Sequence, residues 1–296
     1  MKSTILMLQV LALGPILTAE DRPYTYTPLA VPPGAIQILA FGINDLGTIV
    51  GLYSQIGSTH GFVLQDGTYT LLDAPGIGGG FTEALGINVQ GDIVVQYSAP
   101  GGPGLSHGFI RQGGVFITID FPGPKLISRV SGINSRDEIV GSYEANDFTS
   151  HGYLYERDRF IVIDVPFPGI QYTYPLGIND LGDIVGDYIG SDGKSHSFLK
   201  QGSAFTSFDV PFPNTNSTTA SGINNKGEIV GTYLDSGGGQ HGFILAKGEF
   251  TRLDASIPGI TDITGTQVFG INDLGEIVGV FTRLPIPTQI GFSAKR

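Results

Sequence analysis

The sequence predicts an all-β fold, a six-bladed β-propeller built from four-stranded blades. Two observations predict it: one motif recurs along the chain at a nearly constant spacing, and no segment shows a helical period. The tripeptide Gly-Ile-Asn recurs at spacings of 44, 46, 45, 45 and 48 residues. Repeats of this length with several short strands are typical of propeller blades, whereas a β-solenoid uses shorter repeats. The six tripeptides begin at Gly42, Gly86, Gly132, Gly177, Gly222 and Gly270.

Each repeat reads as four short strands, and the fifth repeat illustrates the pattern. Its first strand ends at Gly-Ile-Asn (222–224), and the next residues, Asn-Asn-Lys-Gly (224–227), favour a type I turn. The second strand, Ile-Val-Gly-Thr-Tyr (229–233), is β-branched and aromatic. The third strand begins at His-Gly-Phe (241–243), and the fourth ends at Leu-Asp (253–254). In other repeats, two-residue turns such as Asp66-Gly67 join the last two strands.

The two ends of the chain predict how the propeller closes. Residues 24–32 (YTYTPLAVP) align with a fourth strand, such as residues 205–211, yet they precede the first Gly-Ile-Asn. The last repeat stops after its third strand, at residues 290–293. The N-terminal strand is therefore expected to complete the last blade, which removes a free sheet edge. The propeller is expected to occupy residues 20–296.

Residues 1–19 are predicted to be a signal peptide. Lys2 supplies the positive charge, residues 5–17 are apolar apart from Gln9 and Gly14-Pro15, and Ala19 ends a passable cleavage site. The apolar run is too short to span a membrane, and no later stretch is long and apolar enough to do so. The mature protein is therefore expected to be secreted, either extracellular or periplasmic.

The composition excludes several classes of function. The net charge of −11, from 16 basic and 27 acidic residues, argues against nucleic acid or an anionic membrane as the partner. The absence of Cys excludes disulfides, thiolate zinc sites and iron–sulfur clusters. Neither a metal nor a cofactor is predicted, because the Asn-Asp-x-Gly turns at Asn44, Asn179 and Asn272 lack the run of oxygen ligands of an EF-hand. The protein is expected to be a monomer.

All five histidines occupy the same repeat position, and an Asp follows each of them 13 residues later. In a hairpin, this offset makes the two residues cross-strand neighbours. The pair could act as a general base with its orienting carboxylate or as a metal ligand. A repeated structural hydrogen bond is favoured, because five copies around a ring do not converge on one site. The last repeat lacks both partners, with Ile290 and Ala30 at the two positions. The five pairs are His60–Asp73, His107–Asp120, His151–Asp164, His196–Asp209 and His241–Asp254.

Positions at which the repeats differ are the candidates for ligand contacts. The third residue before each Gly-Ile-Asn is diverse, and the fourth is mostly Ser or Thr. Both positions are expected to border one mouth of the central channel. Neutral drift remains an alternative, with Glu83 and Arg129 forming at most a weak surface ion pair. The predicted ligand-binding residues are Glu83, Arg129, Tyr174, Thr219 and Gln267. No catalytic residue is predicted.

The repeat frame, Gly-Ile-Asn-x-x-Gly-x-Ile-Val-Gly-x-Tyr followed by His-Gly-Phe, resembles the HAF repeat of bacterial extracellular proteins over residues 24–296. The resemblance implies an exported bacterial protein, and it implies no particular activity. The sequence favours a secreted binding module that engages a polar ligand (a glycan, peptide or protein) at the channel mouth. A propeller hydrolase or lyase and a purely structural surface protein are the alternatives, since a fold does not decide function.

Overall fold

Short β-strands make up all the regular structure of the described residues, which in this computed structural model are 24–74, 80–98, 106–123, 127–284 and 288–296. The all-β prediction is therefore confirmed for this part of the chain. Within it, no helix is long and apolar enough to cross a membrane. The predicted signal peptide lies outside the described residues.

Antiparallel pairing arranges the strands in six groups of four, which we call units one to six. Parallel bridges between Ile38 and Ile290 and between Thr59 and Phe81 join units six, one and two into one twelve-stranded sheet. Unit six begins with the first strand of the chain, β1 (Thr25–Pro28). Unit one contains β2 (Gln37–Ile43), β3 (Ile49–Gln55), β4 (Ser58–Gln65) and β5 (Thr68–Leu72). Unit two contains β6 (Phe81–Ile87), β7 (Ile93–Ser98), β8 (Ser106–Gln112) and β9 (Val115–Thr118). Unit three contains β10 (Ile127–Ile133), β11 (Ile139–Glu144), β12 (Ser150–Glu156) and β13 (Arg159–Ile163). Unit four contains β14 (Thr173–Ile178), β15 (Ile184–Ile189), β16 (Ser195–Gln201) and β17 (Ala204–Phe208). Unit five contains β18 (Thr215–Ile223), β19 (Ile229–Asp235), β20 (Gln240–Ala246) and β21 (Glu249–Leu253). Unit six contains β22 (Ile263–Ile271), β23 (Ile277–Arg283) and β24 (Thr288–Lys295) together with β1.

The N-terminal strand β1 lies beside β24, the last strand of the chain, as the sequence predicts. The two strands pair antiparallel from Thr25 opposite Lys295 to Pro28 opposite Phe292. The ring of Tyr26 packs edge-on against that of Phe292, with centroids 5.1 Å apart. Unit six is therefore built from both ends of the chain.

A circle of asparagine side chains links the six units at one end of their first strands. Each Asn of a Gly-Ile-Asn motif donates from Nδ2 to the backbone carbonyl of the corresponding Asn in the next unit, at 3.0–3.2 Å. The last of these bonds returns from Asn272 to the carbonyl of Asn44. Within its own turn each Asn Oδ1 also accepts backbone N–H groups, as Asn179 does from Leu181 and Asp183. The circle comprises Asn44, Asn88, Asn134, Asn179, Asn224 and Asn272.

The apolar core is divided into six clusters, each shared by two consecutive units. Val140 of unit three, for example, packs with Ile178 and Phe198 of unit four. In the same way, Val278 of unit six packs with Ile38 of unit one. The contact between the last and first units thus repeats the contact between neighbours in sequence.

The turns adopt the conformations that their residues favour. The closing position of each Asn-x-x-Gly turn has a positive φ, including Asp137 at 60°, where Asp replaces Gly. The predicted hairpin turn at Asp66 and Gly67 has positive φ at both residues, at 49° and 77°, as a type I′ turn requires. The predicted turn positions are confirmed here.

Candidate functional site

A β-bulge in every first strand turns an extra side chain toward the middle of the molecule. The register between the first and second strands shifts just before each Gly-Ile-Asn, for example between Val130 and Gly132. Such a bulge leaves one residue unpaired and re-aims its side chain. The residues at the bulge all line one cavity, and they are Phe41, Leu85, Ser131, Leu176, Ser221 and Phe269.

The glycines of the Gly-Ile-Asn motifs let neighbouring first strands approach closely at this level. A Cβ atom added at Gly132 would lie 2.8 Å from the carbonyl oxygen of Leu176 in the next unit. One added at Gly270 would lie 2.7 Å from the carbonyl oxygen of Phe41. Side chains at these positions would therefore force the strands apart and widen the circle.

The cavity enclosed by the first strands has a volume of about 740 Å³ and receives side chains from all six units. Phe81 and Ile127 stand at its outer level, where their strands begin. Glu83, Arg129 and Thr219 form the next level, and the residues at the bulge form the floor. Beyond the floor lies a separate cavity of about 80 Å³, lined by the asparagine circle. The larger cavity thus extends from the bulge toward the starts of the first strands, away from the asparagine circle.

Among the described residues that line this cavity, Glu83 and Arg129 are the charged ones, and both are half-buried. Within the described part of the chain, neither side chain forms a hydrogen bond or an ion pair, so the two do not pair with each other. Burial raises the pKa of the Glu83 carboxyl above its usual value. Leaving two charges half-buried without partners is unfavourable, and a ligand with complementary groups would relieve that cost.

The cavity takes three of the five predicted ligand-binding residues. Tyr174 and Gln267 occupy the equivalent positions of units four and six, and both are half-buried, but neither lines the cavity. Tyr174 lies opposite Asp187 on the neighbouring strand, and Gln267 lies opposite Val280. The repeat position therefore predicts how far along the first strand each side chain lies. It does not predict whether that side chain contacts the cavity.

Gln96 also lines the cavity, and it is not among the predicted ligand-binding residues. Its side chain bridges units two and three, because Nε2 donates to the carbonyl of Ser128 at 3.1 Å and Oε1 accepts from the amide of Val130 at 3.0 Å. A signal for it exists in the sequence. In the second strand of each unit, the residue before the repeated Tyr (Phe in unit six) is as diverse as the position that holds the predicted ligand-binding residues. These residues are Leu52, Gln96, Ser142, Asp187, Thr232 and Val280.

The hydroxyl residues near the start of the first strands have a structural role, and the expectation that they border the channel mouth is wrong. They are buried and accept hydrogen bonds from backbone amides that follow the fourth strand of the preceding unit, as Ser128 does from Phe121 at 3.0 Å and Thr266 from Ala255 at 2.8 Å. Their uniformity reflects this shared bond. The hydroxyl residues are Thr82, Ser128, Thr173, Thr218 and Thr266.

Asp187 is a half-buried carboxylate next to the cavity wall. Ser195 donates to its Oδ2 at 2.6 Å, and the same hydroxyl lies 3.3 Å from Oγ1 of Thr219, which lines the cavity. Burial raises the pKa of Asp187 to about 6, and the bond from Ser195 opposes that rise. Asp187 therefore gains a proton near pH 6 in the folded protein, above the pH at which an ordinary Asp does so.

Replacing Asp187 with Asn is expected to remove a pH dependence of stability. A carboxyl whose pKa is raised on folding stabilises the protein below its unfolded pKa, and this contribution is lost as pH rises through about 6. Asp187→Asn should therefore match the wild type at pH 4 and exceed its free energy of unfolding at pH 7.5 by roughly 2 kcal/mol. Urea denaturation at both pH values measures this, with the exposed Asp158→Asn as the control. Parallel pH profiles for wild type and Asp187→Asn would contradict the assignment.

The structure brings all five His–Asp pairs to hydrogen-bond distance, between the third strand and a residue one or two positions after the fourth. The shortest Nδ1–Oδ distances are 2.9, 2.6, 2.9, 2.7 and 2.9 Å in chain order. Each imidazole also packs against a Tyr of the second strand, with centroids 5.0–6.3 Å apart. In unit six the three positions hold Ala30, Ile290 and Phe281. None of the five His side chains lines the cavity, so the pairs stand apart from it.

A single pair is expected to contribute modestly to stability. His151→Ala removes the bond to Asp164 and the contact with Tyr143, and it should lower the free energy of unfolding by about 1–2 kcal/mol. Urea denaturation of His151→Ala, Asp164→Ala and the double variant measures the coupling between the two residues. Additive losses would show that the two side chains do not interact. Ligand binding in the cavity should be unchanged in all three variants.

The described residues contain no cluster of three or more His, Asp or Glu side chains arranged to hold a metal ion.

Comparison with known proteins supports the fold. No family model matches the sequence, and no curated protein matches it. Among solved structures, a streptogramin B lyase matches with a TM-score of 0.50 at 11% identity, covering 91% of this chain and 97% of the lyase. A six-bladed β-propeller lectin of the fungus Aleuria aurantia, described with a fucose recognition mode, matches with 0.50 at 11% identity over 76% and 80%. A variant of the protein AofleA from Arthrobotrys oligospora matches with 0.53 at 12% identity over 93% and 86%. Identities this low show likeness of fold alone, so the chain has a propeller-like, all-β fold.

Proposed function

We propose that the chain is a closed six-bladed β-propeller whose central cavity binds a small polar ligand. Three features support closure: the circle of asparagine hydrogen bonds, the pairing of β1 with β24, and the core cluster shared by units six and one. A closed ring without free sheet edges is the usual solution for repeated antiparallel units. The four-stranded units would be its blades.

The observation that carries the binding proposal is the pair of unpaired charges in the cavity. Glu83 and Arg129 project from neighbouring first strands into about 740 Å³ of space, within the usual volume of ligand pockets. A stability role would favour their mutual pairing, and they do not form an ion pair. Side chains that keep their polar groups free inside a preformed cavity are suited to receiving those of a ligand.

Binding is favoured over catalysis by what the cavity contains. Glu83 is the one carboxylate among the lining residues that the structure describes, and acid–base hydrolysis of a glycoside uses two. The histidines lie outside the cavity, each hydrogen-bonded to its Asp. The matched structures include both a lectin and a lyase, so the fold does not distinguish binding from catalysis and the residues of the site must do so.

Export of this protein, with removal of residues 1–19, is part of the proposal. It rests on the apolar N-terminal segment and on the resemblance to the extracellular HAF repeat. Expression of the full chain in a bacterial host, followed by N-terminal sequencing and size-exclusion chromatography, tests cleavage after Ala19 and the expected monomer. An uncleaved cytoplasmic product would overturn the export proposal.

A ligand screen with cavity variants tests the binding proposal. Thermal-shift screening of glycans, short peptides and small metabolites is followed by calorimetry of each hit on wild type, Arg129→Ala and Glu83→Gln. Each variant should weaken binding about tenfold or more, as expected when a charge-assisted contact is lost. The exposed Arg159→Ala is the matched control and should bind as wild type does. Hits that are indifferent to both cavity variants would place the site elsewhere.

Tyr174→Ala defines the extent of the site. If the ligand reaches only the residues that line the cavity, this variant should bind as wild type does. Weaker binding would extend the site to the full predicted ring, with Tyr174 as a stacking surface.

A further inference from the structure

We propose that the cavity ligand is a small zwitterion with an apolar body, of the short-peptide class, whose ammonium group meets Glu83 and whose carboxylate meets Arg129. This inference rests on the proposed binding function and names the ligand class for the same cavity. It follows from the signs of the two charges, from the apolar surfaces around them and from the narrowing of the cavity at its floor.

The two charges are opposite in sign and come from neighbouring units. Glu83 on β6 and Arg129 on β10 occupy the same repeat position in consecutive units, and β6 and β10 are in contact. A simple anion would satisfy Arg129 and leave Glu83 facing it, whereas a neutral sugar would leave both charges without a counter-charge. A zwitterion satisfies both at once, and charge-assisted hydrogen bonds are about twice as strong as neutral ones.

Apolar side chains lie on both sides of the charged level. Phe81 and Ile127 stand nearer the mouth, and Phe81 is 54% exposed. On the floor, the rings of Phe41 and Phe269 meet edge-on with centroids 5.3 Å apart. A ligand held by its charged ends would therefore bury an apolar body against these rings, which favours hydrophobic amino-acid side chains.

The floor limits the length of the ligand. Six isoleucines, one after each motif glycine, line both the large cavity and the separate smaller one beyond it. Below them the asparagine circle is fully hydrogen-bonded. The space narrows there from about 740 Å³ to about 80 Å³, so the cavity suits a short molecule that ends above the isoleucines.

Calorimetry with apolar dipeptides tests the inference on the mature protein. The probes are leucylphenylalanine in its free form, its N-acetylated form and its C-amidated form. The free dipeptide should bind at least about tenfold more tightly than either blocked form, because each block removes one charge. In Arg129→Ala, the free and amidated forms should bind equally. In Glu83→Gln, the free and acetylated forms should bind equally. Arg159→Ala should keep both preferences.

The outcomes separate this inference from the proposed function. Equal binding of the free and blocked dipeptides to wild type would overturn the zwitterion assignment. No dipeptide binding, together with a hit from the general screen that Arg129→Ala weakens, would overturn the ligand class and leave the cavity as the site. Ser221→Trp fills the floor, and thermal melting shows whether it folds. If no compound binds wild type in a way that folded Ser221→Trp prevents, the binding function itself is wrong.

Discussion

Deletion of residues 20–33 is expected to convert the protein into an aggregating species. The deletion removes β1, which covers the edge of β24, and exposed edges pair with other chains. It also removes Tyr24 and Tyr26 from the core cluster that unit six shares with unit five. Size-exclusion chromatography and light scattering should show large assemblies, where the intact chain is expected to be monomeric.

A point variant tests the same contact without deleting backbone. Tyr26 is 8% exposed and packs on Phe292, so Tyr26→Ala should lower the free energy of unfolding by about 3 kcal/mol. Thr25→Ala is the matched control on the same strand, because Thr25 is exposed, and it should change stability little. A soluble, monomeric and equally stable deletion variant would contradict the role of β1.

Gly231→Val, in the second strand of unit five, is expected to be strongly destabilising. A Cβ atom at Gly231 would lie 2.1 Å from the carbonyl oxygen of Thr219 and 2.8 Å from the ring of Phe243, which is fully buried. Neither atom can move freely, because one is backbone at the bulge and the other is packed in the core. The variant should lose about 3 kcal/mol of stability, at the upper end of overpacking effects.

Unit two accommodates a Val at the same position because its aromatic residue is less buried. It carries Val95 at the same repeat position, and its aromatic residue Phe109 is half-buried where Phe243 is fully buried. Gly237→Ala, in an exposed loop where the added Cβ would lie 3.2 Å from the Asp235 carboxylate and near no backbone atom, is the control and should cost much less. Urea denaturation measures both variants. Equal stability of Gly231→Val and wild type would show that the backbone relaxes more easily than the packing indicates.

The periodic features of the fold could be predicted from the sequence because the same residue types recur at the same positions in successive repeats. The Asn-x-x-Gly turns, the hairpin turns and the pairing of β1 with β24 all follow from residue types at fixed offsets. The His–Asp offset also predicts its contact, because a two-residue turn fixes the register of a hairpin. In unit six, Ile290 stands at the His position and Ala30 at the Asp position. Because both partners are missing together, the sequence also indicates that the two ends of the chain meet.

The candidate site could be predicted only in part. The diversity of one repeat position indicated Glu83, Arg129 and Thr219, which line the cavity. It could not separate them from Tyr174, because contact with the cavity depends on how the first strands tilt and bulge around the circle. The apolar lining escaped for a different reason: side chains such as Phe81 vary among repeats in the same way as exposed surface residues do.

Closure by the N-terminal strand is the claim on which the cavity depends, and a disulfide tests it most directly. The chain contains no Cys, so Thr27→Cys with Ser293→Cys introduces one pair at opposed positions of β1 and β24. Leu199→Cys with Thr206→Cys is the matched pair at the equivalent positions of unit four. Both double variants should oxidise without denaturant. The first should then run as a compact, nearly circular chain on a denaturing, non-reducing gel. Oxidation of the unit-four pair without that of Thr27→Cys and Ser293→Cys would contradict closure.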